Sequence, residues 1–263
     1  MNPQTFLRAH ISQLDPYTRI LPFDVLSEQL GLPIESIIKL DANEIPYGPL
    51  PQVSAALAEL SYPHIYPDPE SRHLRAALAD YHNIPAENIL AGAGADELID
   101  LIMRLIVDPG DAIINCPPTF GMYRFDASIN DAEVISVPRD RNFGLDVEQI
   151  AALVTDSAPK AIFLASPNNP DGGLIAPETL ERLLALPTLV ILDEAYVQFA
   201  PPGTSLLAEV PSRENLIVLR TFSKWAGLAG LRLGYGIFPD WIMPHLWKIK
   251  QPYNVSIAAS TAG

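Results

Sequence analysis

Seven short apolar runs separated by helix-period segments constrain this 263-residue chain more than any other feature. They read NILA (88–91), AIINC (112–116), EVISV (133–137), AIFLAS (161–166), LVILD (189–193), LIVLR (216–220) and GYGIF (234–238). Strands buried on both faces of a parallel sheet are nearly all apolar, and a crossover, usually a helix, must link one to the next. The segments SRHLRAALADYH, ADELIDLIMRLI, DVEQIAALV and PETLERLLAL supply those helices, with apolar residues three and four apart. The alternation predicts an α/β fold with a largely parallel sheet of about seven strands.

Residues 1–49 read differently. YTRILPFDVLSEQLGLP and DANEIPYGPLP mix prolines with tyrosines around one short helical pattern, so this stretch is expected to be an arm leaning on another surface. The final QPYNVSIAASTAG opens like a helix and stops, with no evident capping signal. The 26 prolines fall singly or in pairs such as Pro117-Pro118 and punctuate loops rather than marking a disordered tract.

Composition narrows the partners. With 48% hydrophobic residues the chain can bury a large core. Its net charge of -14 removes the phosphate-neutralising term on which nucleic-acid binding depends. A single cysteine, Cys116, leaves no internal disulfide and no four-cysteine zinc pattern, which fits a reducing cytoplasm. No signal-peptide pattern opens the sequence, and no apolar run has the length of a membrane span.

In open parallel sheets, ligands sit at the carboxyl ends of the strands. After NILA, Gly94, Ala95 and Asp96 lead into a helix whose N-terminal amides can hold a phosphate; a plain glycine turn with Asp96 starting the helix fits equally well. Neither GxGxxG nor a P-loop is present, since Glu97 takes the third glycine's place and no Gly-Lys-Ser/Thr follows. After AIFLAS, Asn168 and Asn169 offer amides to a ring oxygen, or form an Asn-Pro turn. Asp193 ends an apolar strand, where a carboxylate needs a partner: a protonated heterocycle, a helix start or a buried cation. Tyr196 lies within reach of the same point.

The next strand runs into TFSKWAGLAGLRLGYG. An amine among apolar and small neighbours loses solvation and becomes nucleophilic towards a carbonyl, so Lys224 is a candidate for that chemistry and otherwise a snorkelling surface lysine. Thr221, Ser223 and Arg232 can together grip a dianionic phosphate. The glycines at 227, 230, 234 and 236 would let the backbone pass close to such a ligand.

KLDANEIPYGP, YPDP (66–69), GAGADELI, CPPTFGMY, SPNNPDGG, DEAYVQF and RTFSKWAGLAGLRLGYG occur in that order, and together they resemble the fold-type I pyridoxal-phosphate enzymes, most nearly the histidinol-phosphate aminotransferases. The resemblance runs from about Pro16 to the end. It implies a three-layer α/β/α large domain over 50–263 and, in 1–49, an arm and the start of a small-domain region. By position, Lys224 resembles the residue that bonds the aldehyde of pyridoxal 5'-phosphate and later moves protons between the substrate and the cofactor. Asp193 resembles the partner of the pyridine nitrogen, and Asn169 and Tyr196 the donors to the ring's 3'-oxygen. Ala95 and Asp96 through their backbone, with Thr221, Ser223 and Arg232, resemble the phosphate cup. Phe120 stands where the family commonly stacks a tyrosine on the ring, and Ile45 where it often has asparagine.

The same resemblance implies a homodimer with a shared site, in which Tyr66 reaches the partner's cofactor phosphate while Tyr17 and Asn43 cover the substrate. It implies exchange of an amino group between L-histidinol phosphate and 2-oxoglutarate, giving imidazole-acetol phosphate and glutamate in histidine biosynthesis. Aromatic aminotransferases and threonine-phosphate decarboxylases share the cofactor motifs and are the neighbouring alternatives. A noncatalytic cofactor-binding chain is another, because the family's small C-terminal domain, which carries arginines for the substrate carboxylate, is expected after Gly263.

Overall fold

A computed structural model describes residues 1–18 and 20–263. In chain order the elements are α1 (Phe23–Leu30), α2 (Pro51–Ala58), α3 (Arg72–His82), β1 (Ile89–Gly92), α4 (Ala95–Ile106), β2 (Ala112–Asn115), α5 (Met122–Ile129), β3 (Glu133–Ser136), α6 (Val147–Ser157), β4 (Ala161–Ala165), α7 (Pro177–Leu184), β5 (Leu189–Asp193), β6 (Leu216–Thr221), β7 (Gly234–Ile237), α8 (Met243–Ile249) and α9 (Ile257–Ala262). The seven strands form one sheet in the order β1-β7-β6-β5-β4-β2-β3. Only β7 runs against the rest, pairing antiparallel with both β1 and β6. The seven apolar runs are thus the seven strands.

Side-chain alternation along each strand divides the core between two faces. On one face Ile162, Leu164, Val190, Leu192, Leu216 and Val218 pack with Leu74 and Leu78 of α3, Ile150 and Val154 of α6, and Leu180 and Leu183 of α7. On the other, Phe163, Ile191, Ile217 and Leu219 pack with Leu98, Ile99 and Ile102 of α4, Tyr123 of α5, and Leu246 of α8. Helices cover both faces, so the molecule has the three-layer α/β/α architecture. Each fully buried Leu or Ile contributes roughly 2 kcal/mol through removal of apolar surface from water.

Several boundaries differ from the sequence expectation for local reasons. β1 begins after Asn88, whose amide is committed to the Phe238 carbonyl at 2.9 Å and to Asp240 at 2.7 Å. It ends at Gly92, aligned with Gly234, which in turn aligns with Thr221 of β6. Thr221 is therefore part of the sheet. α6 starts after Asp146, whose carboxylate accepts the Gln149 amide at 2.9 Å. The C-terminal segment does carry a capping signal: Ser256 accepts the Ala259 amide at 3.1 Å and opens α9. Helices α2, α5 and α8 have no counterpart in the sequence reading. They are short, and none has a side-chain cap hydrogen bond.

Candidate active site

The carboxyl ends of β1, β5 and β6 meet the loop before α5 around a cavity of about 290 Å³. Asp193 ends β5, Thr221 ends β6, and Ser223 and Lys224 follow within one turn. Ala95 and Asp96 open α4, while Phe120, Asn169, Tyr196 and Arg232 complete the wall. Ten residues marked in the sequence as one cofactor site therefore line one space. Ala42 and Glu44, from the N-terminal stretch, line it too and had no chemical signature in the sequence.

Lys224 occupies the centre of this arrangement. Its Nζ donates to the Ala42 carbonyl at 2.8 Å and lies 5.9 Å from the centroid of the Tyr196 ring. Burial lowers its pKa, against the opposing pull of Asp96 and Glu44. An amine so placed loses its proton more readily than one in water, which favours addition to a carbonyl carbon.

Asp193 is buried at 4% exposure and accepts two hydrogen bonds, from the Tyr123 hydroxyl at 2.7 Å and the Ala195 amide at 3.0 Å. Loss of solvation pushes its pKa up to about 6, with the two donors pulling the other way. The group lines the cavity, where a cationic ring nitrogen would relieve the burial of its charged form. Beside it, Glu194 and Arg220 form a buried ion pair at 2.8 Å, at 1% and 7% side-chain exposure. Ser205 donates to Glu194 at 2.7 Å, and the Leu206 amide adds a bond at 2.8 Å. This pair ties the ends of β5 and β6 together directly under the site.

The anion-binding end is built from pieces distant in sequence. Thr221 Oγ1 donates to Ser223 Oγ at 2.9 Å, and Arg232 reaches Ser223 Oγ at 3.4 Å and the Asp96 carboxylate at 2.6 Å. The Asp96 carboxylate thus pairs with the guanidinium that a phosphate would engage. Gly94 sits at φ +86°, and a Cβ there would lie 2.5 Å from the Arg232 guanidinium. The helix N-terminus, two hydroxyls and a guanidinium around a cradle that a methyl group would fill match the chemistry of a phosphate monoester. Gly234 and Gly227 do other work than bringing backbone to a ligand: a Cβ on Gly234 would lie 2.5 Å from the Ala95 nitrogen, and one on Gly227 2.8 Å from the Gly48 carbonyl oxygen. They permit backbone to pack on backbone. Gly230 lines the cavity with open space beside it.

Tyr17 and Asn43 border a wider adjoining cavity of about 620 Å³ that shares Asp96, Phe120, Asn169, Tyr196 and Lys224. Asn43 donates to the Tyr196 hydroxyl at 2.9 Å, and Tyr17 meets Phe125 edge-on at 5.6 Å. Burial raises the Tyr196 pKa while the Asn43 bond opposes it. Asn168, marked with Asn169, is consumed internally, accepting from Thr119 at 2.9 Å and donating to the Pro118 carbonyl at 3.1 Å. Tyr66 borders neither cavity; its exposed ring stacks on Tyr253 at 4.5 Å.

Fold and site together define a lysine-centred aminotransferase-type domain. The chain belongs to the aminotransferase class I and II family, whose model matches residues 35–263. It is 62% identical over 257 residues to a chloroplastic histidinol-phosphate aminotransferase of Nicotiana plumbaginifolia, covering 98% of this chain and 62% of the relative. A histidinol-phosphate aminotransferase of Roseiflexus castenholzii is 55% identical, with 97% of this chain and 70% of that one covered. Among solved structures, the Sinorhizobium meliloti histidinol-phosphate aminotransferase in complex with pyridoxal-5'-phosphate superposes with a TM-score of 0.86 at 29% identity. That match covers 97% of this chain and 69% of the other. The chain therefore spans less than two thirds of the length of the plant relative. No helix among the described residues is long and apolar enough to cross a membrane.

Proposed function

We propose that this chain binds pyridoxal 5'-phosphate and serves the transfer of an amino group from L-histidinol phosphate to 2-oxoglutarate. The observation that carries the reading is the convergence of Lys224, Asp193 and Arg232 on one cavity. Bound pyridoxal phosphate would supply an electrophilic aldehyde carbon and a protonated ring able to accept the electron pair left when an α-proton departs. Lys224 would hold the aldehyde carbon and then, once free, move the proton at the substrate α-carbon. Asp193 would keep the ring-nitrogen proton in place, and Asn169 and Tyr196 would donate to the 3'-oxygen. Phe120 would stack on the ring. The α4 N-terminus at Ala95 and Asp96, with Thr221, Ser223 and Arg232, would hold the phosphate.

Names and identities of 55–62% among the relatives support this substrate over aromatic amino acids or threonine phosphate. We further propose the domain division at residue 50, a homodimer with Tyr66 acting across the interface, and roles for Tyr17 and Asn43 over the substrate. A cytoplasmic location fits the single cysteine, although the plant relatives are named as chloroplastic.

The test is reconstitution with pyridoxal phosphate followed by absorbance. A visible band that Lys224→Ala abolishes is expected, and L-histidinol phosphate should bleach it more efficiently than phenylalanine or threonine phosphate does. No lysine-dependent band would sink the cofactor reading. A band indifferent to L-histidinol phosphate would sink the transamination reading alone.

A further inference from the structure

Two aromatic side chains meet where the chain enters α5: Phe120 in the loop before the helix and Tyr123 in its first turn. Phe120 lines the cavity; Tyr123, three residues on, lies behind it with no exposed surface. The two rings meet edge-on at 5.6 Å and 83°, and Tyr123 also packs on Phe163 of β4 at 5.5 Å. The phenol is therefore held on two sides by aromatic rings, and among the described residues its hydroxyl has one hydrogen-bond partner, Asp193 Oδ2 at 2.7 Å.

We infer that Tyr123 is a positioning residue for Asp193, fixing the carboxylate towards the ring nitrogen of the bound cofactor, and for Phe120, fixing the stacking ring; this rests on the cofactor reading above. The geometry supports it in three ways. Burying a phenol hydroxyl costs free energy unless it is paired, so the site has a reason to retain the Tyr123–Asp193 bond. The Ala195 amide holds the other carboxylate oxygen at 3.0 Å, so the two donors from opposite sides fix the plane of the group. A carboxylate oxygen accepts more than one hydrogen bond, which leaves capacity for a cationic partner in the cavity. The same ring braces Phe120, so one buried side chain sets both the edge contact and the face contact of the cofactor.

The experiment measures the dissociation constant of pyridoxal phosphate and the position of its lysine-dependent band in the 263-residue chain and in Tyr123→Phe, Asp193→Asn and the double variant. Tyr123→Phe removes the hydroxyl and keeps the ring. Expected is about a tenfold loss of affinity and a shifted band, the size of one hydrogen bond to a charged group. In the Asp193→Asn background the same substitution should have an effect at least several-fold smaller. A loss of equal size in both backgrounds, or no loss in either, overturns the proposal. Absence of the band in the unaltered chain would instead overturn the cofactor reading. If Tyr123→Phe does not fold, 3-fluorotyrosine at position 123 keeps the shape and strengthens the donor; tighter binding is then expected, and unchanged binding overturns the proposal.

Discussion

The floor and the roof of the cavity are held by different means. The floor is the strand ends: Asp193, Glu194, Arg220, Thr221 and Ser223 are all buried, Glu194 paired with Arg220, Thr221 with Ser223, and Asp193 held by Tyr123 and the Ala195 amide. The roof is residues 41–44. No described residue before Ser71 is buried, and the roof meets the site through the Ala42 carbonyl on Lys224 and the Asn43 amide on Tyr196. The floor is thus fixed by the same burial that makes the fold, while the roof meets the site through one half-buried and one exposed hydrogen bond. On the proposed function, the groups that need fixed geometry sit on the floor, and the surface that would admit and release substrate has the weaker attachment.

If that contrast holds, the largest loss comes from the floor. Glu194→Ala leaves the Arg220 guanidinium buried without its partner and is expected to cost about 3–5 kcal/mol, read by urea denaturation. A loss below about 1 kcal/mol would mean that the strand ends are not held by this pair.

A middle effect is expected at Asp126 on α5, buried at 4% with Oδ2 unpartnered. Burial, with the nearby Asp100 and Asp96, pushes its pKa up to about 7. Because the folded value exceeds the unfolded one near 3.8, the group's favourable contribution is complete below about pH 4 and is lost as pH rises through about 7. Asp126→Asn should therefore raise stability by about 2 kcal/mol at pH 8 and change little at pH 4, which thermal melts at the two pH values would resolve. Equal effects at both would contradict a raised pKa.

The smallest change should come from the roof. Asn43→Ala is expected to cost less than about 1 kcal/mol in denaturation, since the bond it removes is exposed, while the Tyr196 phenol moves to higher pKa in an ultraviolet titration. A stability loss as large as that of Glu194→Ala would erase the distinction between floor and roof.

The sheet was legible because burial on both faces writes itself as continuous apolar runs, and the residues at the strand ends were legible because a charge after such a run needs a reason. What escaped reading depends on pairs that topology brings together. Tyr123 and Asp193 are 70 residues apart, and nothing in MYRFDASI marks a helical tyrosine whose partner lies at the end of a strand; its spacing from Phe120 at a helix start was the available clue. Arg220 read as the end of a strand because its partner Glu194 becomes its neighbour only through the β5–β6 pairing. The glycines at 234 and 227 were assigned to ligand approach, whereas the neighbours that exclude a side chain are Ala95 and Gly48, each far away in the chain.

The reversed strand β7 has a consequence for how such a chain is made. β1 precedes the other six strands of the sheet in the chain and, among the described residues, pairs only with β7, which follows them all, as the bond between Asn88 and Phe238, 150 residues apart, also records. A chain emerging from the ribosome possesses the amides at the start of α4 long before it possesses the strand on which they are seated, or the arginine that faces them. The proposed phosphate cup is in this sense a late assembly, and retention of the cofactor would report that β7 is home.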